Sequence, residues 1–214
     1  MNRRDVLTGI GITGIAALTG CVSGGPEIQR EVFTSDYGSV RDGGYTIPAV
    51  PIQRVPEKYH RQIVTYNTRQ RPGTIIVNTR TRHLYYVLPR NQAVRYGIGV
   101  GRAGFAWEGE AYVAWKQTWP RWHPPEEMIA REPRLARYRD GGQAPGLKNP
   151  LGARALYLFD KSGKDTLYRL HGSPQWKSIG TAASSGCIRM MNQDVIDLYG
   201  RVRPGRGAKV VVIQ

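Results

Sequence analysis

Thr166-Leu167-Tyr168-Arg169-Leu170-His171-Gly172 is the stretch from which the rest of the chain is read. Its β-branched, aromatic and aliphatic residues read as a strand over Thr166 to Leu170. His171 then stands at the strand end, on a rigid support at the rim of a cleft. Across the turn Lys161-Ser162-Gly163-Lys164 lies a second strand pattern, Ala155-Leu156-Tyr157-Leu158-Phe159. Further upstream, Thr74 to Asn78, Arg82 to Leu88 and Ala93 to Val100 read as a three-stranded meander turning at Pro89-Arg90-Asn91-Gln92. Lys209 to Ile213 adds a strand at the other end. The expected domain is therefore mainly β, a small sandwich or barrel-like sheet with one or two peripheral short helices. The clearer helix is expected from Asn192, whose side chain is placed to cap it. Val195, Leu198 and Tyr199 share one face, and Gly200 ends it. Trp119 to Gly146, rich in Pro, Trp and Arg, reads as a long ordered loop with a helical turn near Glu126 to Glu132, and a loop of that length is usually functional.

Working outward to the termini, residues 22–72 carry Ser23-Gly24-Gly25-Pro26, Asp42-Gly43-Gly44 and Pro48, Pro51 and Pro56 without a sustained apolar period. They are expected to be a tether with one short ordered piece, ahead of a single catalytic domain over residues 73–214. Residues 1–21 read as an export signal, in which a basic start, Met1 to Asp5, precedes the uncharged run Val6 to Gly20, too short and Gly-rich to span a membrane. Arg3-Arg4 resembles a twin-arginine signal, and Leu18-Thr19-Gly20-Cys21 resembles a lipobox whose cysteine is lipidated; ordinary cleavage is the simpler alternative. The expected location is the periplasm or cell envelope, lipid-anchored if Cys21 is acylated. The formal net charge of +15 suits a polyanion. In an exported chain with no basic recognition helix this favours wall polymers over nucleic acid.

The sequence has two cysteines, Cys21 and Cys187. If Cys21 lies in the signal or is acylated, Cys187 is a lone thiol in an oxidising compartment, and catalysis is the common reason to keep one. A thiol becomes nucleophilic at neutral pH through a partner that takes or stabilises its proton, and His171 is the evident one. Gly186 allows a sharp turn before Cys187, so that the amides of Gly186 and Cys187 can face an oxyanion. His60, His83 and His123 show no metal-ligand spacing and read as surface or structural residues. No metal or cofactor is called for. Trp119, Trp122 and Trp176 read as loop packing rather than sugar platforms, and Arg189 reads either as a carboxylate holder or as a structural ion-pair donor.

His171-Gly172 followed by Ser184-Ser185-Gly186-Cys187-Ile188-Arg189-Met190 resembles the signature of the L,D-transpeptidase catalytic domain, the YkuD or ErfK/YbiS family. The likeness extends to Asn149 to Leu158, Ser178-Ile179-Gly180, Asn192 to Tyr199 and the Trp119 to Pro125 loop, in the same order, over about two thirds of the chain. It implies that Cys187 attacks the L-centre carbonyl of the third residue of a wall stem tetrapeptide and releases D-alanine. His171 would be the base, and the Gly172 carbonyl would orient its ring. Ser185, Gly186 and Cys187 would supply oxyanion amides, and Ser184 and Arg189 would complete the substrate-binding set. An amine on a neighbouring stem, or a wall-anchored lipoprotein, would resolve the thioester. Trimming of tetrapeptides by water, an L,D-carboxypeptidase activity, and non-catalytic wall binding are the alternatives. Ser185 stands where many members of the family have histidine.

Overall fold

The computed structural model describes residues 34–101, 107–182 and 187–214. The expected signal over residues 1–21 and the site residues Ser184, Ser185 and Gly186 lie outside them. Twelve described strands appear in chain order: β1 Val40–Asp42, β2 Tyr45–Ile47, β3 Gln62–Thr65, β4 Ile75–Asn78, β5 His83–Leu88, β6 Gln92–Gly97, β7 Gly99–Val100, β8 Gly109–Thr118, β9 Arg154–Phe159, β10 Asp165–Ser173, β11 Ile188–Met191 and β12 Lys209–Ile213. Among the described residues the two α-helices are α1 Glu126–Arg131 and α2 Asn192–Arg201.

Among the described residues ten strands form one sheet in the order β3-β6-β5-β4-β12-β8-β9-β10-β11-β7. β6 and β7 are separated only by Ile98, yet they stand near opposite ends of that order, so the sheet closes on itself in the barrel-like manner expected. The corner is permitted by small residues. A Cβ on Gly97 would come 2.5 Å from the Tyr59 carbonyl oxygen, and one on Gly99 would come 2.4 Å from that of Ser178. The enclosed core is drawn from alternate positions, Ile75, Val77, Leu84, Val94, Val113, Leu156, Leu158, Leu170, Ile188, Met190, Val210 and Val212, and α2 adds Val195 and Leu198. The helix lies at the flank of the sheet, as expected, with this one apolar face on the core.

Three expectations are corrected. The stretch expected to be a tether with a single ordered piece holds considerably more structure from residue 34 onward: the β1–β2 hairpin, three 3-10 turns and β3, which extends the main sheet beside β6. Buried aromatic anchors outweigh its Pro and Gly content, since Tyr37 and Tyr59 pack with Ile52, Val55, Ile179 and Met191. Asn192 does not cap α2. Met191 takes that position, and Asn192 Oδ1 accepts the Ala153 N–H at 2.9 Å. Gly200 does not end the helix, which runs on to Arg201. The Trp119 to Gly146 segment has the expected helical turn as α1, followed by a 3-10 stretch, Pro133–Tyr138.

Candidate active site

β10 and β11 run parallel, with Leu170 opposite Ile188, His171 opposite Arg189 and Gly172 opposite Met190. Leu170, Ile188 and Met190 enter the core, so by the two-residue period of a strand Arg169, His171 and Ser173 share the other face with Cys187, Arg189 and Met191. This face, turned away from the core, carries the candidate site. Cys187, immediately before β11, and His171 are diagonal neighbours across the pair, about 8 Å apart along the backbone given strand spacing and rise. Met191 lies under the Tyr37–Tyr59 cluster, and Ala153 packs with Ile47 and Trp119, so the N-terminal segment walls this face on two sides.

His171 is almost fully buried, and its Nδ1 lies 2.6 Å from the Gly172 carbonyl oxygen. A carbonyl only accepts, so Nδ1 carries the proton and Nε2 is left as the acceptor. Gly172 has no room for a side chain, since a Cβ there would fall 2.3 Å from Asn192 Oδ1 and 3.0 Å from Val195 Cγ1, so α2 packs closely against the peptide whose carbonyl meets the ring. Burial lowers the His171 pKa from 6.5 to about 4, opposed by the Gly172 hydrogen bond and assisted by the positive charges of Arg189 and Arg169. Cys187 is a free thiol with partial exposure. Burial also pushes that thiol up, while Arg169, Arg189 and a hydrogen bond with the Arg169 backbone pull it down. Both effects favour a neutral thiol and a neutral imidazole on this shared face. That pairing is suited to base-assisted attack at the moment a carbonyl arrives.

Arg189 shares this face, with its Nη1 3.3 Å from Gln175 Oε1, and makes no ion pair among the described residues, which leaves its charge available for a carboxylate. Arg169 was not singled out from the sequence. It grips Asp165 through two 2.7 Å contacts, lies 4.5 Å from the centre of the Tyr157 ring and flanks Cys187 in register. Its two-residue spacing from His171 was legible, but the parallel pairing that brings it to the thiol was not. His60 and His83 are tied to the Val55 and Lys58 carbonyls, which is structural work. Trp119 Nε1 donates to Asp42, which also takes a bidentate contact from Arg154, and this fastens the β1–β2 hairpin to the sheet. Among the described residues no three His, Cys, Asp or Glu side chains converge as metal ligands. No helix there is long and apolar enough to cross a membrane.

Residues 72–213 match the family model of the YkuD L,D-transpeptidase catalytic domain. The chain is 31% identical over 145 residues to an Escherichia coli protein described as the probable L,D-transpeptidase YcfS, covering 64% of this chain and 43% of that protein. It is 30% identical over 143 residues to the Escherichia coli protein described as the probable L,D-transpeptidase YbiS, covering 62% of this chain and 42% of that one. Less than half the length of those relatives is therefore represented here. A solved structure from Brucella melitensis, described as a probable carnitine operon oxidoreductase, shares 44% identity and a TM-score of 0.51 over 72% of this chain and 95% of that one. The chemistry named there differs from that of the Escherichia coli relatives and is said of that protein alone. With the domain match spanning well over half the chain, this protein belongs to the L,D-transpeptidase catalytic domain family.

Proposed function

We propose that the chain is an exported peptidoglycan L,D-transpeptidase of cell-wall biosynthesis, with Cys187 as nucleophile and His171 as base. The observation that carries this is the β10–β11 register, which sets the thiol and the imidazole on one face with Nδ1 committed to the Gly172 carbonyl. In the proposed reaction Cys187 Sγ attacks the carbonyl of the third stem residue, and His171 Nε2 takes the thiol proton. The Ser185, Gly186 and Cys187 amides receive the oxyanion. The tetrahedral adduct collapses to a thioester as His171 returns the proton to the leaving D-alanine amine. Arg189, with Ser184 nearby in sequence, holds a substrate carboxylate. An acceptor amine from a neighbouring stem, or from a wall-anchored lipoprotein, then attacks the thioester, and the thiol is released.

The same thioester opened by water would give an L,D-carboxypeptidase. A non-catalytic wall-binding role is disfavoured by the burial of an oriented, deprotonated imidazole, which a binder does not need. Residues 1–21 would export the chain to the periplasm or envelope, with Cys21 a candidate lipid anchor, and the charge of +15 suits an anionic wall matrix rather than nucleic acid in that compartment.

The test is incubation with a wall tetrapeptide followed by mass spectrometry. The expected result is a tripeptide adduct on Cys187, free D-alanine and a cross-linked dimer. Trimmed tripeptide without dimer would select hydrolysis, and no adduct under any condition would sink both enzyme readings. Cys187→Ala should keep the fold by circular dichroism and lose at least about a thousandfold in turnover.

A further inference from the structure

We propose that Trp115, Tyr157 and Arg169 form a carbohydrate subsite on the sheet face that carries Cys187, in which a sugar ring of the glycan strand stacks on the Trp115 indole while its stem peptide extends to Cys187. This rests on the donor reading above and adds to it where the sugar lies.

The three residues stand in one cross-strand row, Trp115 on β8 opposite Tyr157 on β9, and Tyr157 opposite Arg169 on β10. Continuing the β10–β11 register by one residue brings Cys187 next in line. The row is a stack. Trp115 and Tyr157 lie 3.5 Å apart with planes 7° from parallel, and the Arg169 guanidinium closes the far side of Tyr157 at 4.5 Å, itself pinned by Asp165. Tyr157 is consequently only 8% exposed, whereas Trp115 keeps 43% of its surface in solvent.

That exposure is built in. Val113 faces the core opposite Leu158, and a regular strand would send Trp115 inward as well. The register instead shifts between Val113 and Trp115, and Ala114 is the extra residue that turns the indole outward. A second irregularity between Asp165 and Arg169 on β10 flanks Tyr157 from the other side. Strand bulges of this kind re-aim side chains beside sites, and here both act on the same row.

The chemistry fits a saccharide. A pyranose has apolar C–H faces and a hydroxylated rim, so it pairs with a rigid aromatic surface edged by polar groups. Next to Trp115 on the same face, Gln117 is exposed and lies within 3.4 Å of the Tyr157 hydroxyl, which supplies that edge. Three strand spacings separate Trp115 from Cys187, about 14 Å. A donor bound by the carbonyl of its third residue has three residues of about 3.5 Å each, roughly 10 Å, so its peptide must run extended toward β8 and the sugar must cover the remaining roughly 4 Å.

Two measurements test this. Wild-type protein is acylated with a free tetrapeptide and with the same stem carried on its disaccharide, and the indole N–H of Trp115 is followed by NMR during titration with the stem-free disaccharide. The disaccharide donor should be preferred by about tenfold in kcat/KM, Trp115→Ala should abolish that preference, Trp115→Phe should restore most of it, and the Trp115 resonance should shift. Equal use of both donors by the wild type, or an equal loss on both in Trp115→Ala, would overturn the subsite, as would an unshifted resonance. A shifted resonance in a protein that no donor acylates would instead retain the sugar site and remove the transpeptidase reading.

Discussion

At the residue scale, the proposed nucleophile and base are held away from their solution protonation states by burial. His171 loses its proton at about 4 rather than 6.5, and the thiol of Cys187 is pushed up. A pre-formed thiolate–imidazolium pair would call for the opposite shifts, so proton transfer is expected to accompany attack on the substrate. The acid limb of kcat/KM for acylation should therefore fall near pH 4, with activity maintained from about pH 5.5 to neutrality. A limb at 6.5 or above in the measured pH profile would mean that the imidazole is solvated or paired with a charge in the working enzyme. His171 and Cys187 were singled out from their neighbours in sequence, because Ser-Gly before a cysteine and a His-Gly pair are local patterns, although the strand expected to stop at Leu170 runs on to Ser173. Arg169 and Trp115 were not, because their relevance arises only from the strands beside them.

At the element scale, α2 packs closely against the β10 peptide whose carbonyl accepts from His171, the proposed base. Gly172 leaves no room for a side chain against Asn192 and Val195, and its carbonyl is the one that receives His171 Nδ1. Gly172→Ala should cost about 1–3 kcal/mol in thermal unfolding by overpacking, and should slow acylation by more than tenfold because the ring loses its register with the thiol. A variant that melts lower yet acylates at the wild-type rate would separate the two effects and show that the contact is structural alone. Strands β8 and β11 escaped the sequence reading for physical reasons. The alternation of β8 is reversed at Ala114, and the four residues of β11 carry the site motif, so that their period of two is hidden behind it.

At the scale of the whole molecule, the N-terminal segment is secured to α2 by buried charge. The Arg61 guanidinium lies 2.5 Å from Asp36, 3.5 Å from Asp197 and 4.0 Å from the fully buried Asp194. Burial raises Asp194 from 3.8 to about 7 against the pull of Arg61. A carboxyl raised in this way holds a proton in the folded state that the unfolded chain has released, so its contribution is present below about pH 4 and is lost as pH rises through 7. His171 acts oppositely. Its depressed value means the unfolded chain binds the extra proton, so stability is gained as pH rises from about 4 to 6.5. The two should largely cancel in the wild type over that interval. Asp194→Asn keeps the shape and removes one arm, so its melting temperature relative to wild type should climb steadily from pH 4 to 7. A constant difference across that range would show that Asp194 titrates normally.

The strand-rich class, the meander and the C-terminal strand were legible in local alternation, and the proposed nucleophile and base were singled out by a motif of adjacent residues. Tertiary structure alone decided the closure of the sheet through Ile98, the inclusion of residues 34–65 in the folded body and the row that joins Trp115 to Cys187. All three depend on which strands lie side by side and in what register. Register is a long-range choice made by burial of one face, and no single segment contains it.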